Sequence, residues 1–465
     1  MLERSHIQFR YTHYSRCLVI AGITILISNH ATSALTPSTP LEQLIEASIP
    51  RGYTPKLQTL TREKAANTRL NPWTNLLPSF SATAGKVFTQ STAYSTAQSM
   101  GLAADWTLWD GYKNIREVTL AELDWKTQKI QSDLELQNYL LELIDQFMGL
   151  EVFYIQRSTL QESLKNSLLF FTEARELARL GAKTKLDVMD TEIQVQNFEN
   201  DLFELENSIT GAERNFSVLL NTSEFQPFIR TDFLKTPPYF MEKFEELRPK
   251  LKRLEGRLGN TSPDLRVTEL KLSRSLQEYE QTRLSYFPLV SFKIAHDRNY
   301  SGLFNSEASD LPKTGSPTST ATLNFSWTIW DWLNTPRNIW NSKKNYQIEQ
   351  LEYDRKRRLV NYEVQTQLER YEILEKNVTR AENVVTQAEL QMEYTLSMYQ
   401  LGRITLLQAQ TSRERLSGSR NALVNRLKAK YLLAARILIQ AGQSLLPAQV
   451  HTLLLLDPAE RPKLD

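Results

Sequence analysis

The chain of 465 residues has very few side chains for thiol or histidine chemistry. It contains one cysteine, Cys17, and five histidines. Cys17 and three of the histidines fall within positions 1–34, so the rest of the chain keeps only His296 and His451. This composition excludes disulfide bonds beyond position 34 and offers too few ligands for an ordinary histidine-rich metal site. We therefore expect no cofactor, no metal and no enzyme activity.

Proline is missing from two long stretches. The segment between Pro78 and Pro227 contains none, and neither does the segment between Pro336 and Pro447. Because proline breaks helix interiors, both stretches can hold very long helices. The chain also lacks an excess of one charge, since it has 55 basic and 53 acidic residues. Because nucleic-acid binding needs an excess of positive charge, we expect none. A mean hydropathy of −0.41 excludes a bundle of apolar membrane-spanning helices.

The segment 1–34 is typical of a cleavable secretory signal. Three arginines precede an apolar run from Cys17 to Ile27, and small residues follow at 31–34. The run is too short to span a bilayer, although a retained anchor remains an alternative. Cys17 lies at the start of the run, which is the wrong end for lipid attachment. We predict that cleavage after Ala34 leaves a neutral mature chain without cysteine.

The rest of the chain contains an internal repeat. The segment 106–110 reads Trp-Thr-Leu-Trp-Asp, and the segment 327–331 reads Trp-Thr-Ile-Trp-Asp. Gly181 and Gly402, each preceded by leucine, are separated by the same offset as these two segments, so no net insertion divides the copies over this stretch. The chain is therefore expected to contain two copies of one structural unit.

Two alternating segments in each copy predict β-strands. In the second copy Leu323, Phe325 and Trp327 alternate with polar residues, and the first copy shows the same pattern from Met100 to Leu108. A further alternating run precedes each of these segments. The strands are predicted at about 79–89 and 98–109 in the first copy, and at about 289–300 and 319–331 in the second.

A helical period follows the second strand of each copy. Apolar residues recur at spacings of four and three, which is the pattern of a coiled-coil seam. The seam comprises Leu136, Leu140, Leu143, Phe147, Leu150 and Tyr154 in the first copy, and Val364, Leu368 and Tyr371 in the second. Glycine tolerates the left-handed conformation that ends helices, so each tip glycine can turn the chain back. We predict helical hairpins at about 111–221, with its tip near 181, and at about 333–442, with its tip near 402.

These patterns divide the chain into five parts. They are the signal at 1–34, a first structural repeat at 35–221, a connector at 222–262, a second repeat at 263–446 and a tail at 447–465. The connector contains four prolines, which interrupt the periodicity between the copies.

Four strands with one apolar face cannot close into a barrel by themselves, because closed barrels need about eight strands. An open edge in hydrocarbon would also leave backbone groups without hydrogen-bond partners. Several chains that each contribute four strands would solve both problems. Tryptophans near one strand end would then act as membrane-interface anchors, namely Trp106, Trp109, Trp327, Trp330 and Trp332. A soluble β-sandwich on a coiled coil, with two of these tryptophans in its core, is the alternative.

Several short segments carry a resemblance to a known family. Leu108–Gly111 has the family's leucine, aromatic, aspartate and glycine run at the passage from strand to helix, whereas the second copy departs from it at Trp332. The segments after Leu180 and Leu401, and the opening of the second copy at 260–265, are equally typical. In this duplicated order the chain resembles the TolC-like outer-membrane efflux protein family, or outer membrane factors. The resemblance implies a mainly α fold with a small β part, in which three chains form a twelve-stranded outer-membrane β-barrel continued by a periplasmic α-helical coiled-coil tunnel.

The resemblance also implies a function and partners. The chain would be a channel-tunnel subunit in the cell outer membrane of a Gram-negative bacterium, forming a homotrimer in contact with outer-membrane lipid. It would give passive exit to substrates from a tripartite efflux pump or a type I secretion system. Docking of a periplasmic adaptor (membrane fusion) protein and an inner-membrane RND, ABC or MFS pump would open its helical tips. A non-channel periplasmic or surface coiled-coil scaffold or adhesin is the alternative, and the exported substrate stays open.

Finally, the resemblance implies gate residues at the helical tips. Asp187 and Tyr399 match family positions at the closed entrance, and Arg403 lies one position before Ile404, where the family has its basic partner. The tip set comprises Gly181, Asp187, Asp190, Tyr399, Gly402, Arg403, Gln408 and Thr411. Gln408 and Thr411 replace carboxylates that line the entrance in some members, which puts a cation-selective constriction in doubt. Our hypothesis is a gate held by Asp187 with Tyr399 and Arg403. The alternative for Asp187 is a carboxylate that stabilises a helix N-terminus.

Overall fold

The computed structural model describes residues 41–90, 94–222, 237–253, 262–301, 313–401 and 403–446. The predicted signal, the predicted tail, parts of the connector and Gly402 lie outside the described residues.

The first repeat begins with three helices, continues with two strands and ends in a helical hairpin. Its elements are α1 (Leu41–Ser48), α2 (Tyr53–Thr68), α3 (Asn71–Thr74), β1 (Ser79–Gln90), β2 (Tyr94–Trp109), α4 (Lys113–Arg179) and α5 (Lys185–Leu220). A single helix, α6 (Phe240–Arg253), is described between the repeats.

The second repeat has the same order of strands and hairpin. Its elements are α7 (Pro263–Arg283), a 3-10 turn (Leu284–Tyr286), β3 (Leu289–Ser301), β4 (Lys313–Ser326), α8 (Asn334–Gln400) and α9 (Leu406–Gln440). The long helices α4 and α8 each contain 67 residues, and their first residues are separated by the repeat offset. The fold class that the sequence predicts is confirmed as mainly α, with a small antiparallel sheet and a duplicated helical hairpin.

Two strands differ from their predictions: β2 and β4 start earlier than predicted, at Tyr94 and Lys313, and β4 also ends earlier. The sequence predicts the fourth strand to about 331, but β4 ends at Ser326. The segment 327–331 lies beyond the last pair of the ladder, because β3 begins at Leu289, directly after Pro288, and Leu289 pairs with Ser326. The indole Nε1 of Trp327 donates a hydrogen bond to the carbonyl of Tyr286 at 3.0 Å. The Asp331 carboxylate accepts hydrogen bonds from the backbone of Asn334 at 3.1 Å and of Thr335 at 2.6 Å, which starts α8.

The four strands form one antiparallel sheet in the order β1-β2-β3-β4, so the β2–β3 pair joins the two repeats. Phe80, Ala104, Ile294 and Ala321 lie opposite one another across the sheet. Directly opposed residues share a face, so this face is apolar across all four strands near their base, whereas toward the hairpin ends it includes His296 opposite Leu102 and Arg298 opposite Met100. The apolar face is open within the described chain: Phe80 is 82% exposed and Leu323 is 66% exposed.

The opposite face of the sheet is polar. Asp105 and Lys293 are directly paired across β2 and β3, with the carboxylate Oδ1 3.6 Å from the ammonium Nζ. Asp297 lies opposite Gly101, which lacks a side chain at that position. A Cβ at Gly101 would collide with an Asp297 carboxylate oxygen, so glycine is needed to accommodate this carboxylate.

The main hydrophobic core lies in the helical body. The nine predicted seam residues are all buried, and Leu140, Leu143, Leu150 and Tyr371 are fully enclosed. They pack with apolar side chains of α6 and α9 in a single cluster. The coiled-coil prediction is therefore confirmed for this part. None of the helices in the described ranges has an apolar segment long enough to cross a membrane.

The connector helix α6 is fixed to the second hairpin by charge and aromatic packing. Arg248 donates two hydrogen bonds to the carboxylate of Glu375, at 2.8 and 3.3 Å. The hydroxyl of Tyr371 donates to Glu245 at 3.1 Å, and its ring lies 4.6 Å from that of Phe244. The two-point contact with the guanidinium lowers the pKa of Glu375.

Both passages from strand to helix use two consecutive left-handed residues. Gly111 and Tyr112 have φ of 72° and 71°, and Trp332 and Leu333 have φ of 54° and 63°. The conformation costs nothing for glycine but about 1–2 kcal/mol for other residues. The two copies therefore make the same turn, and only the first has glycine in it.

We predict that Gly111→Ala and Trp332→Ala have different effects although they occupy equivalent positions. A Cβ at Gly111 would lie 2.7 Å from the Cβ of Phe287, and the left-handed conformation would add strain. We expect a loss of about 1–3 kcal/mol for Gly111→Ala. Trp332 is already left-handed and 83% exposed, so Trp332→Ala should change stability by less than about 1 kcal/mol. Thermal unfolding followed by circular dichroism checks this, and equal losses would contradict it.

A second prediction concerns the pH dependence of the connector contact. The pKa of Glu375 is lower in the folded chain than its ordinary 4.5, so the contact stabilises fully above that pH and is lost as pH falls through the folded pKa. Glu375→Gln should remove this acid-sensitive part, at most about 1 kcal/mol because the side chain is partly exposed. Unfolding midpoints measured from about pH 3 to pH 7 should show a weaker acid dependence for the variant. Exposed Glu363→Gln on the same helix is the control and should behave like wild type.

Candidate gate at the helical tips

Each helical hairpin turns back at the predicted glycine position. After α4, Gly181 has φ of 75°, and the backbone N–H of Ala182 donates to the carbonyl of Leu177 at 2.8 Å. In the second tip the N–H of Arg403 donates to the carbonyl of Met398 at 2.9 Å. The two bonds occupy equivalent positions of the repeat. Both satisfy carbonyl groups that a helix end leaves free.

The returning helices start with equivalent capping boxes. Thr184 caps α5: its N–H donates to the Asp187 carboxylate at 2.9 Å, and its hydroxyl accepts from the N–H of Asp187 at 3.2 Å. Thr405 and Gln408 make the same pair of bonds at the start of α9, at 3.0 and 3.3 Å. Such reciprocal bonds satisfy the free donors of a first helical turn. Asp187 and Gln408 therefore occupy the same place in the two copies.

Hydrogen bonding explains the electrostatics of Asp187. The backbone N–H and the hydroxyl of Thr184 both donate to its carboxylate, and they lower its pKa below the ordinary value. Within one chain Asp187 therefore stabilises a helix start, as the alternative interpretation expected. Its predicted role in the gate depends on other contacts, namely those with Tyr399 and Arg403.

Tyr399 is in contact with a lysine that the sequence reasoning missed. The ammonium Nζ of Lys183 donates to the Tyr399 hydroxyl at 3.3 Å and lies 5.5 Å from the ring centroid. The ring of Phe170 meets Tyr399 edge to face at 5.2 Å, and the guanidinium of Arg413 stacks over Phe170 at 4.9 Å. The four side chains therefore form a row of cation, ring, ring and cation, and they come alternately from the first and the second hairpin. Such contacts are each worth about 0.5–2 kcal/mol.

The internal repeat contained a signal for Lys183. It lies two positions after Gly181, and its equivalent in the second copy is Ile404. The basic residue expected two positions after the second tip glycine is thus present after the first one. Phe170 and Arg413 carry no comparable sequence signal, because their proximity depends on how the two hairpins pack.

The other predicted tip residues are more isolated. The side chains of Asp190 and Arg403 are exposed, and within the described part of the chain they form no ion pair with each other or with Asp187. Thr411 donates its hydroxyl proton to the carbonyl of Leu407 at 2.8 Å. The gate held by Asp187 with Tyr399 and Arg403 therefore stays a prediction, since within the described part of one chain Asp187 binds Thr184 and Tyr399 binds Lys183.

The predicted interface tryptophans surround the base of the sheet. The indole of Trp106 donates to the carbonyl of Leu76 at 2.9 Å, which is the counterpart of the Trp327 bond to Tyr286. Trp109 packs edge-on against Phe287 at 5.8 Å, and Trp330 lies 6.2 Å from Trp332. Trp106 and Trp327 remain 41% and 54% exposed, so neither is a core residue of this chain.

The described architecture defines a class of proteins in which two strand pairs and two long helical hairpins alternate along one chain. Among the residues described, no cluster of three or more histidine, cysteine or acidic side chains is arranged to hold a metal ion.

Comparisons with known proteins agree with this class. Residues 256–441 match the family model for outer membrane efflux proteins. The solved structure of CusC, described with its folding and transmembrane channel formation, superposes with a TM-score of 0.71 at 14% identity, over 88% of this chain and 94% of that one. VceC, an outer membrane protein of Vibrio cholerae, superposes with a TM-score of 0.68 at 15% identity, over 87% and 96%. No curated protein sequence gives a significant match.

A third structure is the outer membrane channel MtrE of Neisseria gonorrhoeae in its open state. It has a TM-score of 0.67 at 15% identity, and the superposition covers 89% of this chain and 94% of that one. At such identities these structures show a shared fold. The predicted resemblance to the outer-membrane efflux protein family is confirmed by the family match across the second repeat together with this fold. The matched family is one of outer membrane efflux proteins, in agreement with the predicted outer-membrane location, and the structures of CusC and MtrE are described as those of channels.

Proposed function

We propose that the chain is one subunit of a homotrimeric outer-membrane channel-tunnel that gives passive exit to substrates of an efflux pump or a type I secretion system. The observation that carries the proposal is the open four-stranded sheet with its exposed apolar face. Three chains would supply twelve strands, enough to close a barrel and pair the free edges. The apolar face would then contact lipid, and the polar face with Asp105 and Lys293 would line the lumen.

The dimensions support a membrane-embedded sheet. A tilted membrane strand needs about 9–11 residues. On β2 the apolar positions run from Met100 to Leu108, which matches the lower end of that range. The tryptophans at the base of the strands would lie at the periplasmic interface.

The helical hairpins would form the periplasmic part. A helix of 67 residues, such as α4, is about 100 Å long, which is far longer than a soluble domain of this size needs. We propose that the tips around Gly181 and position 402 receive a periplasmic adaptor protein and an inner-membrane pump of the RND, ABC or MFS type. The partner would supply the energy, and the pump would choose the substrate.

We further propose that contacts at the tips keep the entrance closed. Lys183 and Tyr399 hold the two hairpins of one chain together. Asp187 presents a carboxylate with a lowered pKa at the surface and could pair with Tyr399 or Arg403 of a neighbouring chain. The MtrE structure is described as an open state, which supports the proposal that channels of this fold also have a closed state.

The entrance of this protein would lack one acidic ring. Gln408 is uncharged and bound in its capping box, and Thr411 is bound to its own helix. Neither side chain attracts cations as a carboxylate would. We therefore propose that these two positions give no cation-selective constriction.

The proposed channel predicts three properties that a periplasmic scaffold or adhesin lacks. The full-length protein should fractionate with outer membranes, migrate as a trimer in SDS without heating, and conduct ions in planar lipid bilayers. A variant with Leu102, Leu323 and Phe325 changed to Ser should fail to insert, because polar groups on a lipid-facing surface are costly. The matched control changes Ser81, Thr320 and Thr322 on the polar face to Ala and should still insert. Release of wild-type protein without detergent would contradict the proposal.

The proposed gate predicts a charge-specific effect of Lys183. Lys183→Met removes the hydrogen bond to Tyr399 and the cation over its ring, so single-channel conductance should rise several-fold. Tyr399→Phe keeps the ring and should give a smaller rise. Lys185→Met, an exposed lysine two positions away, is the control and should leave conductance unchanged. Wild-type conductance in Lys183→Met would contradict the assignment.

Asp187 can be tested separately from its capping role. Asp187→Asn keeps an oxygen acceptor for the Thr184 N–H, as Gln408 does for Thr405, but removes the charge. If the charge ties neighbouring chains together, both Asp187→Asn and Asp187→Ala should raise the conductance. A rise in Asp187→Ala alone would assign the residue to capping and contradict its gate role.

A further inference from the structure

A small cavity lies between the two helical hairpins, above the tips. Its volume is about 100 Å³, which is room for roughly three water molecules. It is lined from α4 in the first hairpin and from α8 and α9 in the second. The lining is mixed, with apolar side chains such as Met392 and Leu396 beside basic, amide and hydroxyl groups.

The cavity contains a buried cation that makes no direct ion pair in the described part of the chain. Arg413 is 8% exposed and stacks on Phe170, and its guanidinium forms no ion pair within the described ranges of the chain. Burial lowers the pKa of Arg413, although Glu162 partly offsets this through its charge. A buried charge is costly unless an opposite charge or several hydrogen bonds compensate it. The ring of Phe170 covers one face of the guanidinium, and no hydrogen bond from its N–H groups to another residue is found in the described part of the chain.

The second basic residue of the cavity is already neutralised. Arg420 donates to Glu389 at 2.9 Å and lies 3.8 Å from Glu162. The one carboxylate that lines the cavity, Glu162, is therefore attracted to Arg420 and is not in ion-pair contact with Arg413. Arg413 is therefore left without a direct ion pair within the described ranges, and the charge of Glu162 compensates it only at longer range.

The remaining polar groups of the cavity divide into two kinds. The hydroxyls of Thr159 and Ser163 donate their protons to backbone carbonyls of their own helix, each at 3.0 Å. Asn166 on α4 and Ser417 on α9 line the cavity from opposite hairpins and can donate into it. The cavity therefore offers a guanidinium, an amide and a hydroxyl as donors.

We propose that this cavity binds a small inorganic anion, phosphate or chloride, through Arg413 with Asn166 and Ser417. The anion would neutralise the buried guanidinium and accept hydrogen bonds from both hairpins. It would thereby join the first hairpin to the second farther from the tips than the contact between Lys183 and Tyr399 does. The inference does not rest on the proposed channel function, because all three groups belong to one chain.

Isothermal titration calorimetry of the full-length protein in detergent tests the site. Sodium phosphate and sodium chloride are titrated separately into a gluconate buffer of constant ionic strength. We expect saturable binding of one anion per chain, weakened at least tenfold by Arg413→Met, which keeps much of the side-chain volume. Arg415→Met removes an exposed arginine of the same helix and should leave binding unchanged.

The outcomes separate clearly. Binding of phosphate alone identifies an oxyanion site and binding of chloride a halide site, and either supports the proposal. Absence of saturable binding of both anions to wild-type protein, or equal binding by Arg413→Met, would overturn it. If Arg413→Met does not fold, Asn166→Leu decides, because it removes a donor from the other hairpin. Undiminished binding in a folded Asn166→Leu variant would then count against the site.

Discussion

A four-stranded sheet with one apolar face and two free edges is the constraint on which the rest of this structure depends. Phe80, Leu102, Leu323 and Phe325 are exposed in the single chain, and burying such side chains contributes about 1.5–3 kcal/mol each. The edge strands β1 and β4 leave backbone groups unpaired within the sheet. Further strands would pair the backbone groups of the two edges, and an apolar environment would cover the exposed side chains. The position of the long helices depends on the sheet, because the second strand of each repeat leads into one of them: β2 into α4 and β4 into α8.

Packing is distributed unevenly along the helical body. The main core around Leu140, Phe147 and Tyr371 is also where the connector helix α6 is bound by Arg248 and Glu375. Nearer the tips the contacts between hairpins are cation–aromatic and polar, with Phe170 as a large buried ring. Elements held by fewer buried apolar contacts open at lower free energy. A stable middle with weaker ends agrees with the proposed function, in which the tunnel opens at its entrance.

Comparison of the two copies identifies the positions at which their chemistry differs. Equivalent residues of the two copies share their backbone geometry but differ in chemistry at the tips and turns. Asp187 corresponds to Gln408, Lys183 to Ile404 and Gly111 to Trp332. The capping boxes show that the first pair keeps a common structural role, while only one member carries a charge. A residue type that both copies share serves the folding of the repeat. A residue type found at the tip of only one copy is a candidate for the proposed entrance.

The sequence alone determined the duplication, the two strand pairs, the long hairpins and the seam, because these follow from local periodicity and from proline and glycine placement. It also located the tips, where Gly181 ends a helix through its own backbone freedom. Only the tertiary structure decided the end of β4, where Ser326 pairs with the first residue of β3, and the partner of Tyr399, which is Lys183. It alone brought Arg413 onto Phe170. Such contacts join residues far apart in sequence, and periodicity along one helix carries no information about which helix packs beside it.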